Sequence, residues 1–492
     1  MSSCSCCSSE ASEAEAGTPR AAAPCTAIIL AAGEGTRMKS KHAKVAHEVL
    51  GKPMIRWVAD AAIAGGCGRV VVVVGSHADE VRAIVADAYA DAPARVECVE
   101  QAERLGTGHA VRVALEEAGV SAGPVVVLNG DLPLVRPETI RSFAETVSAP
   151  QPGAAPAHAA SILTFTAPDP HGYGRVELDE AGSVVRIVEQ KDCTPEQDAT
   201  LLECNAGCYA FDGAQLAVRI GEVGCDNSQH EYYLTDMVEI LRSHGASVTF
   251  HHVDDYTEGL GVNSRVQLAQ LTAIARDQIN ERLMLSGVTM LDPTQVWVGP
   301  DVTVGRDTQI LPGCILTGRT SVGEDCVIGP DTRLTDTRVG DRCVVDETVA
   351  LQAVLDDDVE SGPRAYLRPG AHLMDGSKAG THVEIKKSVI GPGSKVPHLS
   401  YVGDATIGAD VNLGAGTITC NYDGKNKHAT TIGDRTFIGS DTMMVAPVNI
   451  GDDAITGASS CITRDVPSGA LAVERNDQRI IEGYTEKRRA RL

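Results

Sequence analysis

Aromatic residues and long apolar runs are both scarce in this sequence. Phenylalanine, tryptophan and tyrosine make up 3% of the 492 residues, which does not suit a protein that stacks nucleic-acid bases on aromatic rings. No apolar run approaches the roughly 20 residues that cross a bilayer, and the longest, such as 27–32 and 70–74, have the length of strands. We therefore expect neither a base-stacking platform nor a membrane-spanning protein.

Basic residues are outnumbered by acidic ones. The chain has 43 lysines and arginines against 66 aspartates and glutamates, which gives a net charge of −23. A surface of that sign repels nucleic-acid backbones and anionic lipids, so we expect no nucleic-acid or membrane partner. A phosphate site in this chain must be a local cluster of basic side chains, and the expected ligands are small molecules.

Cysteine is not scarce, but most of the 15 cysteines are dispersed. Only Cys4, Cys6 and Cys7 cluster, and no second CxxC pair and no histidine at zinc spacing accompany them, so no metal site is expected there. Residues 1–17 lack the basic start and the apolar stretch of a signal peptide. We expect a cytoplasmic chain with reduced thiols and a disordered tail over residues 1–24.

Strand-like and helix-like segments alternate over residues 25–263. The apolar runs 27–30, 70–74 and 125–128 are separated by segments, such as 108–117, in which apolar residues recur with helical spacing. Strands that alternate with helices predict a Rossmann-like α/β domain with a mostly parallel sheet covered on both sides.

A long helix and then a six-residue period follow. Residues 264–285 lack glycine and proline and have apolar residues every three or four positions, which predicts a helix linking two domains. Aliphatic residues then recur at every sixth position, at Val298, Val304, Ile310, Leu316, Val322, Ile328 and Leu334, and again at Ile432, Ile438, Met444 and Ile450. This period is typical of a parallel β-helix of hexapeptide repeats, which we predict over residues 286–475, before a tail over 476–492. Because such coils often pack side by side, we expect a trimer.

The first apolar run leads into a glycine-rich loop with basic residues beside it. The loop, 30–38, reads LAAGEGTRM and matches neither GxGxxG nor the Walker A pattern, and alone it is more typical of a tight turn. Its backbone N–H groups can approach phosphate oxygens, and Arg37 and Lys44 add positive charge. Asp131 follows the run 125–128, where open α/β sheets bind ligands and a carboxylate can hold Mg²⁺, although it could also be a turn residue.

Seven motifs occur in order along the chain: LAAGEGTRMKSKHAKV, QAERLGTGHA, NGDLPL, GYGRV, IVEQKD, ECNAG and GVNSR. Together they resemble the sugar-1-phosphate nucleotidyltransferases, and most of all the bacterial family that joins N-acetylglucosamine-1-phosphate uridyltransferase to glucosamine-1-phosphate N-acetyltransferase. The resemblance covers about residues 25 to 480. It implies a cytoplasmic homotrimer, with a left-handed parallel β-helix, that uses UTP and acetyl-CoA to make UDP-N-acetylglucosamine for cell-wall and lipopolysaccharide synthesis.

The resemblance also implies which residues act in uridyl transfer. Arg37 and Lys44 are the implied catalytic cations, and Asp131 and Asn263 are the implied Mg²⁺ ligands. The attacking phosphate is already an anion, so no general base is required and no histidine is assigned. The residues implied in binding UTP and the UDP-sugar are Leu30, Ala31, Ala32, Gly33, Lys44, Gln101, Gly106, Thr107, Asn129, Gly130, Asp131, Gly174, Glu189, Asn205 and Asn263.

Basic residues also cluster in the second half, where LRPG, VEIKKS, PHLSYVGD and CNYDGKNKHATT interrupt the six-residue period. They suit a phosphorylated substrate, although solvated corner lysines are the alternative: Arg368, Lys386, Lys387, Lys395, Lys425 and Lys427. His398 alone could be an ordinary structural histidine, but the resemblance makes it the base that takes a proton from the glucosamine ammonium. The resemblance implies sugar-phosphate contacts at Arg368, Lys386, Tyr401 and Asn412, and acetyl-CoA contacts at Ala415, Asn421, Tyr422, Ser440, Ala458 and Arg475.

Two positions depart from the family's pattern, and two other functions remain as alternatives. Ala43 stands where the family usually has proline, which would stiffen the loop, and Asn129 occupies a variable position. One alternative is a pyrophosphorylase for another nucleotide or sugar, with a β-helix that has no acetyltransferase activity. The other is a regulatory subunit built on an inactive nucleotidyltransferase. His398 and the intact CNYDG segment argue against the first alternative, and the presence of Lys44, Asp131 and Asn263 argues against the second.

Overall fold

The computed structural model describes residues 25–148, 158–180, 182–227, 229–475 and 477–491. The tail predicted to be disordered, residues 1–24, lies outside the described residues. Contacts divide the chain into two compact units. The division falls after Leu271, inside a long helix, and Leu50–Lys52 belongs to the second unit.

Strands and helices alternate up to the long helix, as the apolar pattern predicts. The strands are β1 (Cys25–Ala31), β2 (Glu48–Val49), β3 (Lys52–Pro53), β4 (Cys67–Val74), β5 (Arg95–Glu100), β6 (Pro124–Asn129), β7 (Ala160–Phe165), β8 (Arg175–Leu178), β9 (Val184–Val188), β10 (Cys204–Asp212) and β11 (Val248–Val253). The helices are α1 (Met54–Ala64), α2 (Ala78–Tyr89), α3 (Thr107–Ala118), α4 (Pro137–Glu145), α5 (Pro195–Thr200), α6 (Gly213–Arg219), α7 (Met237–Ser243) and the long helix α8 (Arg265–Leu285). The helix predicted over 264–285 is present as α8.

The main sheet is mixed rather than mostly parallel. Its strand order is β11-β7-β10-β6-β1-β4-β5, with β8 and β9 at its side. Strand β1 pairs in parallel with β4 and β6, and β4 with β5, but β10 runs antiparallel to β6 and to β7. The prediction of a mostly parallel sheet is therefore confirmed for the half of the sheet formed by β1, β4, β5 and β6, which carries the glycine loop. It is wrong for the half around β10. Apolar runs show that a strand is buried but not in which direction it runs.

Helices cover both faces of this sheet, as predicted. Alternate residues of a strand point to opposite faces, so Ile29 of β1 joins one buried cluster and Ile28 the other. The first cluster includes residues of α1, α2 and α4, and the second includes residues of α3, α6 and α7. Both isoleucines are completely buried. The carboxyl ends of β1 and β6 are thereby fixed side by side at one edge.

The second unit is a parallel β-helix with three faces. The first face comprises Thr289–Met290, Gln309–Ile310, Val327–Ile328, Val344–Val345, Glu360–Ser361, Lys378–Thr381, Lys395–His398, Asn412–Leu413, Phe437–Ile438, Ile455–Thr456 and Leu471–Ala472. The second comprises Trp297–Val298, Ile315–Thr317, Arg333–Thr335, Val349–Leu351, Tyr366–Leu367, Glu384–Lys386, Tyr401–Gly403, Ile418–Cys420, Met443–Val445 and Cys461–Ile462. The third comprises Thr303–Val304, Ser321–Val322, Arg338–Val339, Val354–Leu355, His372–Leu373, Val389–Ile390, Ala405–Ile407, Thr430–Ile432 and Val448–Ile450. A short helix, α9 (Tyr484–Arg489), follows.

The register of the β-helix explains the six-residue period. Val298 pairs with Leu316, and Leu316 with Leu334, so one coil of three hexapeptides takes eighteen residues. Ile310 and Ile328 pair in the same way on the first face and are completely buried. The aliphatic residue of each hexapeptide therefore points into the coil, which confirms the predicted architecture.

The six-residue period is broken within the region that the sequence indicated and also before it. Coils shorten to 17 and then 16 residues where Val322 pairs with Val339 and Val339 with Leu355. The predicted interruption is confirmed at VEIKKS and PHLSYVGD, because Leu373 pairs with Ile390 and Ile390 with Ile407, so that each of these coils has 17 residues. It is wrong for LRPG, because Leu367 pairs with Ile385 in a coil of 18 residues. Only CNYDGKNKHATT adds residues, because Ile407 pairs with Ile432, twenty-five positions later. Among the described residues no helix is both long and apolar enough to cross a membrane.

Candidate active sites

The glycine loop after β1 brings Lys44 to the sheet edge. Short 3₁₀ turns at Thr36–Met38 and Lys44–Ala46 fold the loop back on itself. Gly35 has φ 62°, and a Cβ placed on it would lie 2.8 Å from Lys44 Cβ. Glycine at this position therefore permits both the left-handed backbone and the close approach of Lys44.

Four predicted site residues meet at the carboxyl ends of β1 and β6. Lys44 Nζ contacts Asp131 Oδ2 and lies 3.4 Å from Asn263 Oδ1, which also accepts a hydrogen bond of 2.9 Å from Arg37 Nη2. A backbone hydrogen bond also holds Asn263 close to Asp131, because Val262 N, in the residue before Asn263, donates to Asp131 O at 3.1 Å. The side chains of Lys44 and Asp131 are 19% and 13% exposed, so this charged pair is largely shielded from solvent.

A cleft of about 460 Å³ opens onto this group. The predicted residues that line it are Leu30, Ala31, Gly33, Arg37, Lys44, Asn129, Asp131, Gly174, Glu189, Asn205 and Asn263. The lining also includes residues that the sequence reasoning missed, among them His171, Tyr173, Gly207 and Gln267. Tyr173 and Gly207 lie within the motifs GYGRV and ECNAG, and His171 and Gln267 lie within two positions of GYGRV and GVNSR. This proximity was the available signal.

The amide of Asn205 is fixed in the wall of the cleft. Asn205 Nδ2 donates to Tyr209 Oη at 2.9 Å, and its Oδ1 accepts from Gly207 N at 2.9 Å. Complete burial raises the pKa of the Tyr209 phenol, so the phenol stays protonated at neutral pH. The orientation of Asn205 is therefore set before a ligand binds.

Five predicted nucleotide residues do not line this cleft: Ala32, Gln101, Gly106, Thr107 and Gly130. Gly130 N donates to Leu30 O at 3.0 Å and so ties the end of β6 to the end of β1. Thr107 Oγ1 accepts from Leu234 N at 3.1 Å at the start of α3. Ala32 O accepts from Ser76 N at 3.4 Å. These contacts brace the loops around the cleft.

Gln101 forms a separate polar group with Gly106 and His109. Its Nε2 lies 3.0 Å from Gly106 O and 3.0 Å from His109 Nδ1, and its side chain is almost completely buried. Burial and the neighbouring Arg112 lower the pKa of His109, so its ring is neutral at pH 7 and Nδ1 can accept. Both amide hydrogens are thus committed, and no described residue donates to Gln101 Oε1. This oxygen is left to accept a hydrogen bond from a ligand N–H.

In the β-helix, three of the four predicted sugar-phosphate residues, Arg368, Lys386 and Tyr401, lie on or directly after strands of the second face on successive coils. Leu367 pairs with Ile385 and Ile385 with Val402, which places Arg368 and Lys386 one coil apart at the same corner. Arg368 Nη1 donates to Glu384 Oε1 at 2.8 Å, and Lys386 Nζ lies 3.7 Å from Asp404 Oδ2.

Asn421 joins this group from the following loop. Its Nδ2 lies 2.5 Å from Asp404 Oδ2 and 3.5 Å from Tyr401 Oη. The structure therefore brings predicted sugar-phosphate residues and one predicted acetyl-CoA residue together.

His398 ends a strand of the first face, and its side chain is exposed. Among the described residues none forms a hydrogen bond with its ring, so both nitrogens remain available to a substrate. Its carbonyl accepts from Gly416 N at 3.3 Å, and Ala415 O in turn accepts from Asp441 N at 2.6 Å. His398 therefore stands at the corner where Ala415 occupies the next coil.

Two other predicted acetyl-CoA residues, Ser440 and Ala458, continue this corner and form a column of small residues with Ala415. Ser440 O accepts from Ser459 N at 2.8 Å, which places Ser440 and Ala458 on adjacent coils. Arg475 Nη1 donates to Ala458 O at 3.2 Å at the far end of the column. Asn412, on the first face, pairs with Phe437. Because Ala415, Ser440 and Ala458 have short side chains, few side-chain atoms project from the surface strip along this corner.

The inserted loop is ordered by one aspartate. Asp423 Oδ1 accepts from Lys425 N at 2.7 Å and Asn426 N at 2.6 Å, and Oδ2 lies 2.8 Å from His428 Nε2. The hydrogen bonds from Asn426, His428 and Lys425 hold the pKa of Asp423 far below its usual range. Tyr422 is held exposed beside this turn, with its Oη donating to Gly424 O at 2.7 Å.

Comparison with known proteins accounts for both units. The model of the MobA-like NTP transferase domain matches residues 27–186, and that of the hexapeptide repeat of succinyl-transferase matches 319–352 and 429–464. The chain is 49% identical to the bifunctional protein GlmU of Heliobacterium modesticaldum over 459 residues, covering 93% of this chain and 97% of that protein. It is 46% identical to the GlmU of Pelobacter propionicus over 462 residues (93% and 97%) and 48% identical to that of Streptomyces avermitilis over 468 residues (95% and 95%). The chain belongs to the GlmU family.

Membership establishes the general activity and the architecture predicted from the motifs. The chain is a bifunctional enzyme with a nucleotidyltransferase domain, which transfers a uridyl group, and a hexapeptide-repeat acetyltransferase domain. The two alternatives, a pyrophosphorylase with an inert β-helix and an inactive regulatory subunit, do not fit this membership.

Proposed function

We propose that the chain makes UDP-N-acetylglucosamine in two steps at two sites. The β-helix acetylates glucosamine 1-phosphate, and the N-terminal domain then joins the product to UTP. The observation that carries the proposal is the convergence of Arg37, Lys44, Asp131 and Asn263 at one sheet edge. The functional limits we assign are 25–263, 264–285 for the linking helix, and 286–475, followed by the tail 476–492.

In uridyl transfer, an oxygen of the sugar phosphate attacks the α-phosphorus of UTP. The bond from that phosphorus to the bridging oxygen breaks, and pyrophosphate leaves. Lys44 and Arg37 neutralise the charge that develops on the phosphoryl oxygens. The free Oε1 of Gln101 accepts the N3–H of uracil, while Glu189 and Asn205 hold the sugar.

Asp131 and Asn263 fit a magnesium site. Their oxygens already share one cation, the ammonium of Lys44. One carboxylate and one amide oxygen suit Mg²⁺, which takes a few protein oxygens and completes its coordination with phosphates and water. When bound, Mg²⁺ would offset the charge of the triphosphate, and Lys44 would then be released to the phosphates.

In acetyl transfer, His398 takes the proton from the ammonium of glucosamine 1-phosphate. The free amine attacks the thioester carbonyl of acetyl-CoA, the carbon–sulfur bond breaks, and CoA leaves as a thiol that has taken up the second proton lost by the nitrogen. Arg368 and Lys386 hold the phosphate, with Tyr401 and Asn412 beside the sugar. The coenzyme extends along the column of small residues, Ala415, Ser440 and Ala458, toward Arg475, with Asn421 and Tyr422 contacting it from the inserted loop.

Self-association as a trimer is supported by an apolar strip on the first face. Phe437 pairs with Ile455 and Ile455 with Leu471, and these side chains are 52%, 47% and 65% exposed. Covering them would remove apolar surface from water. We expect light scattering to give three times the chain mass of 51.6 kDa. We assign the enzyme to the cytoplasm, as the resemblance implies.

A two-part assay tests the function. Purified protein with Mg²⁺ receives glucosamine 1-phosphate and acetyl-CoA, with or without UTP, while free CoA and pyrophosphate are measured separately. We expect CoA release without UTP, and pyrophosphate only after UTP is added. Pyrophosphate formed only from supplied N-acetylglucosamine 1-phosphate, without CoA release, would mean that the β-helix is structural.

A further inference from the structure

The loop that carries Lys44 is bound to helix α2 through a single carboxylate. Glu80, in the first turn of α2, accepts a hydrogen bond of 2.7 Å from Ala43 N at its Oε2. Its Oε1 lies 2.8 Å from His42 Nδ1. Both oxygens of Glu80 therefore hold the two residues that immediately precede Lys44.

Glu80 lies outside the cleft and has no part in the chemistry proposed above. Burial alone would raise the pKa of Glu80, but the hydrogen bonds from the Ala43 N–H and the His42 ring outweigh it and lower the pKa overall. Glu80 is therefore an ionised acceptor at neutral pH, and charge-assisted hydrogen bonds of this kind are the stronger ones.

The contact acts on Lys44 because Ala43 is its direct neighbour in the chain. Ala43 is almost completely buried, so its backbone cannot exchange Glu80 for water without moving. On the other side, Gly35 packs against Lys44 Cβ. The start of the Lys44 side chain is thus held from two directions, while its Nζ reaches Asp131.

We propose that Glu80 is a positioning residue for uridyl transfer, which holds the Ala43 N–H so that Lys44 points at the phosphates. This role rests on the proposed function of Lys44. Misplacement of a catalytic group by about 1 Å can cost on the order of a hundredfold in rate. A flexible loop would sample the correct position part of the time, so we expect a smaller loss, about tenfold, when Glu80 is removed.

The backbone of Ala43 offers a way to test the role through another residue. Its φ of −54° and ψ of 138° lie in the range that proline adopts, and proline has no N–H. A proline at 43 would fix the same backbone covalently and would leave Glu80 nothing to hold there. Glu80 should therefore be needed for fast uridyl transfer in a chain with alanine at position 43 and be dispensable in a chain with proline there.

The experiment compares the wild-type chain, Glu80→Ala, Ala43→Pro and the double variant, with steady-state kinetics of uridyl transfer and with acetyl transfer as an internal measure of folding. For Glu80→Ala we expect kcat to fall about tenfold with a change of less than about threefold in the KM for UTP, because Lys44 acts on the transition state. In the Ala43→Pro chain the same change should cost less than about threefold.

Two further variants keep the test decisive if proline disturbs the loop. Glu80→Gln retains an oxygen for the Ala43 N–H and should stay within about threefold of wild type. Asp79→Asn removes a fully exposed carboxylate from the same turn and should have no effect.

Three results would overturn the proposal: an unchanged kcat in Glu80→Ala, an equal cost of Glu80→Ala in both backgrounds, or a parallel loss of acetyl transfer. Absence of uridyl transfer from the wild-type chain would instead refute the proposed function, and with it this role.

Discussion

Replacing Asp131 with asparagine should separate the two activities of this enzyme. The amide has nearly the same shape as the carboxylate, and its oxygen can still accept a hydrogen bond from Lys44. The variant therefore removes one negative charge without opening a cavity. What it removes is the carboxylate of the proposed magnesium site.

The expected loss of uridyl transfer follows from the burial of the Asp131 carboxylate. Two unit charges about 4 Å apart interact by ~4 kcal/mol at an effective dielectric constant of about 20. The Asp131 side chain is only 13% exposed, so solvent screens it little. A loss of ~4 kcal/mol from the transition state corresponds to roughly a thousandfold in kcat/KM.

The assay measures both activities on one preparation. Pyrophosphate release from UTP and N-acetylglucosamine 1-phosphate reports uridyl transfer, and CoA release from acetyl-CoA reports acetyl transfer. We expect the first to fall about a thousandfold and the second to stay within about twofold. Asp87→Asn, which makes the same charge change on the exposed side of α2, is the matched control. A parallel fall in both activities, or uridyl transfer within about tenfold of wild type at saturating Mg²⁺, would refute the reasoning.

Three more predictions test other parts of the structure. His398→Ala should lower CoA release by a factor of about 10² to 10⁴ and spare uridyl transfer; unchanged acetylation would remove His398 as the base. Gln101→Leu should lower the preference for UTP over CTP, measured as the ratio of kcat/KM values, by about tenfold or more, because cytosine has no N3–H to donate; an unchanged ratio would contradict the assignment. Burial lowers the pKa values of His47, His109 and His251, so below a pH of about 6.5 the unfolded chain takes up protons that the folded chain does not. The free energy of unfolding should therefore be smaller at pH 5.5 than at pH 7.5 in urea titrations, and a flat profile would count against this.

The sequence alone was sufficient to predict those parts of the fold in which a short pattern of residues repeats along the chain. Ile310 and Ile328 are one coil apart because three hexapeptides close one coil, and this spacing is visible without any structure. The glycine loop and Asp131 were likewise predictable, since both follow buried apolar runs and the carboxyl ends of parallel strands share an edge.

Other features depend on contacts between residues far apart in the sequence. The antiparallel direction of β10 follows from its pairing with β6 and β7, which no local pattern encodes. Glu80 meets Ala43 from 37 positions away, and in the sequence it is one of many helical glutamates. The motifs contain the groups that we propose to react, but not Glu80, which contacts the loop that carries Lys44.

The regular stacking of coils in the β-helix fixes the distances between residues on different coils. Each strand of the first face pairs only with the strands before and after it, so distances along the axis come in steps of about 4.8 Å. Four such steps separate the strand that ends at His398 from Leu471–Ala472, which precedes Arg475. This sets about 19 Å between the two ends of the proposed coenzyme strip. Adding or removing one whole coil would change the length of ligand that fits by one step, while the chemistry at either end stayed the same.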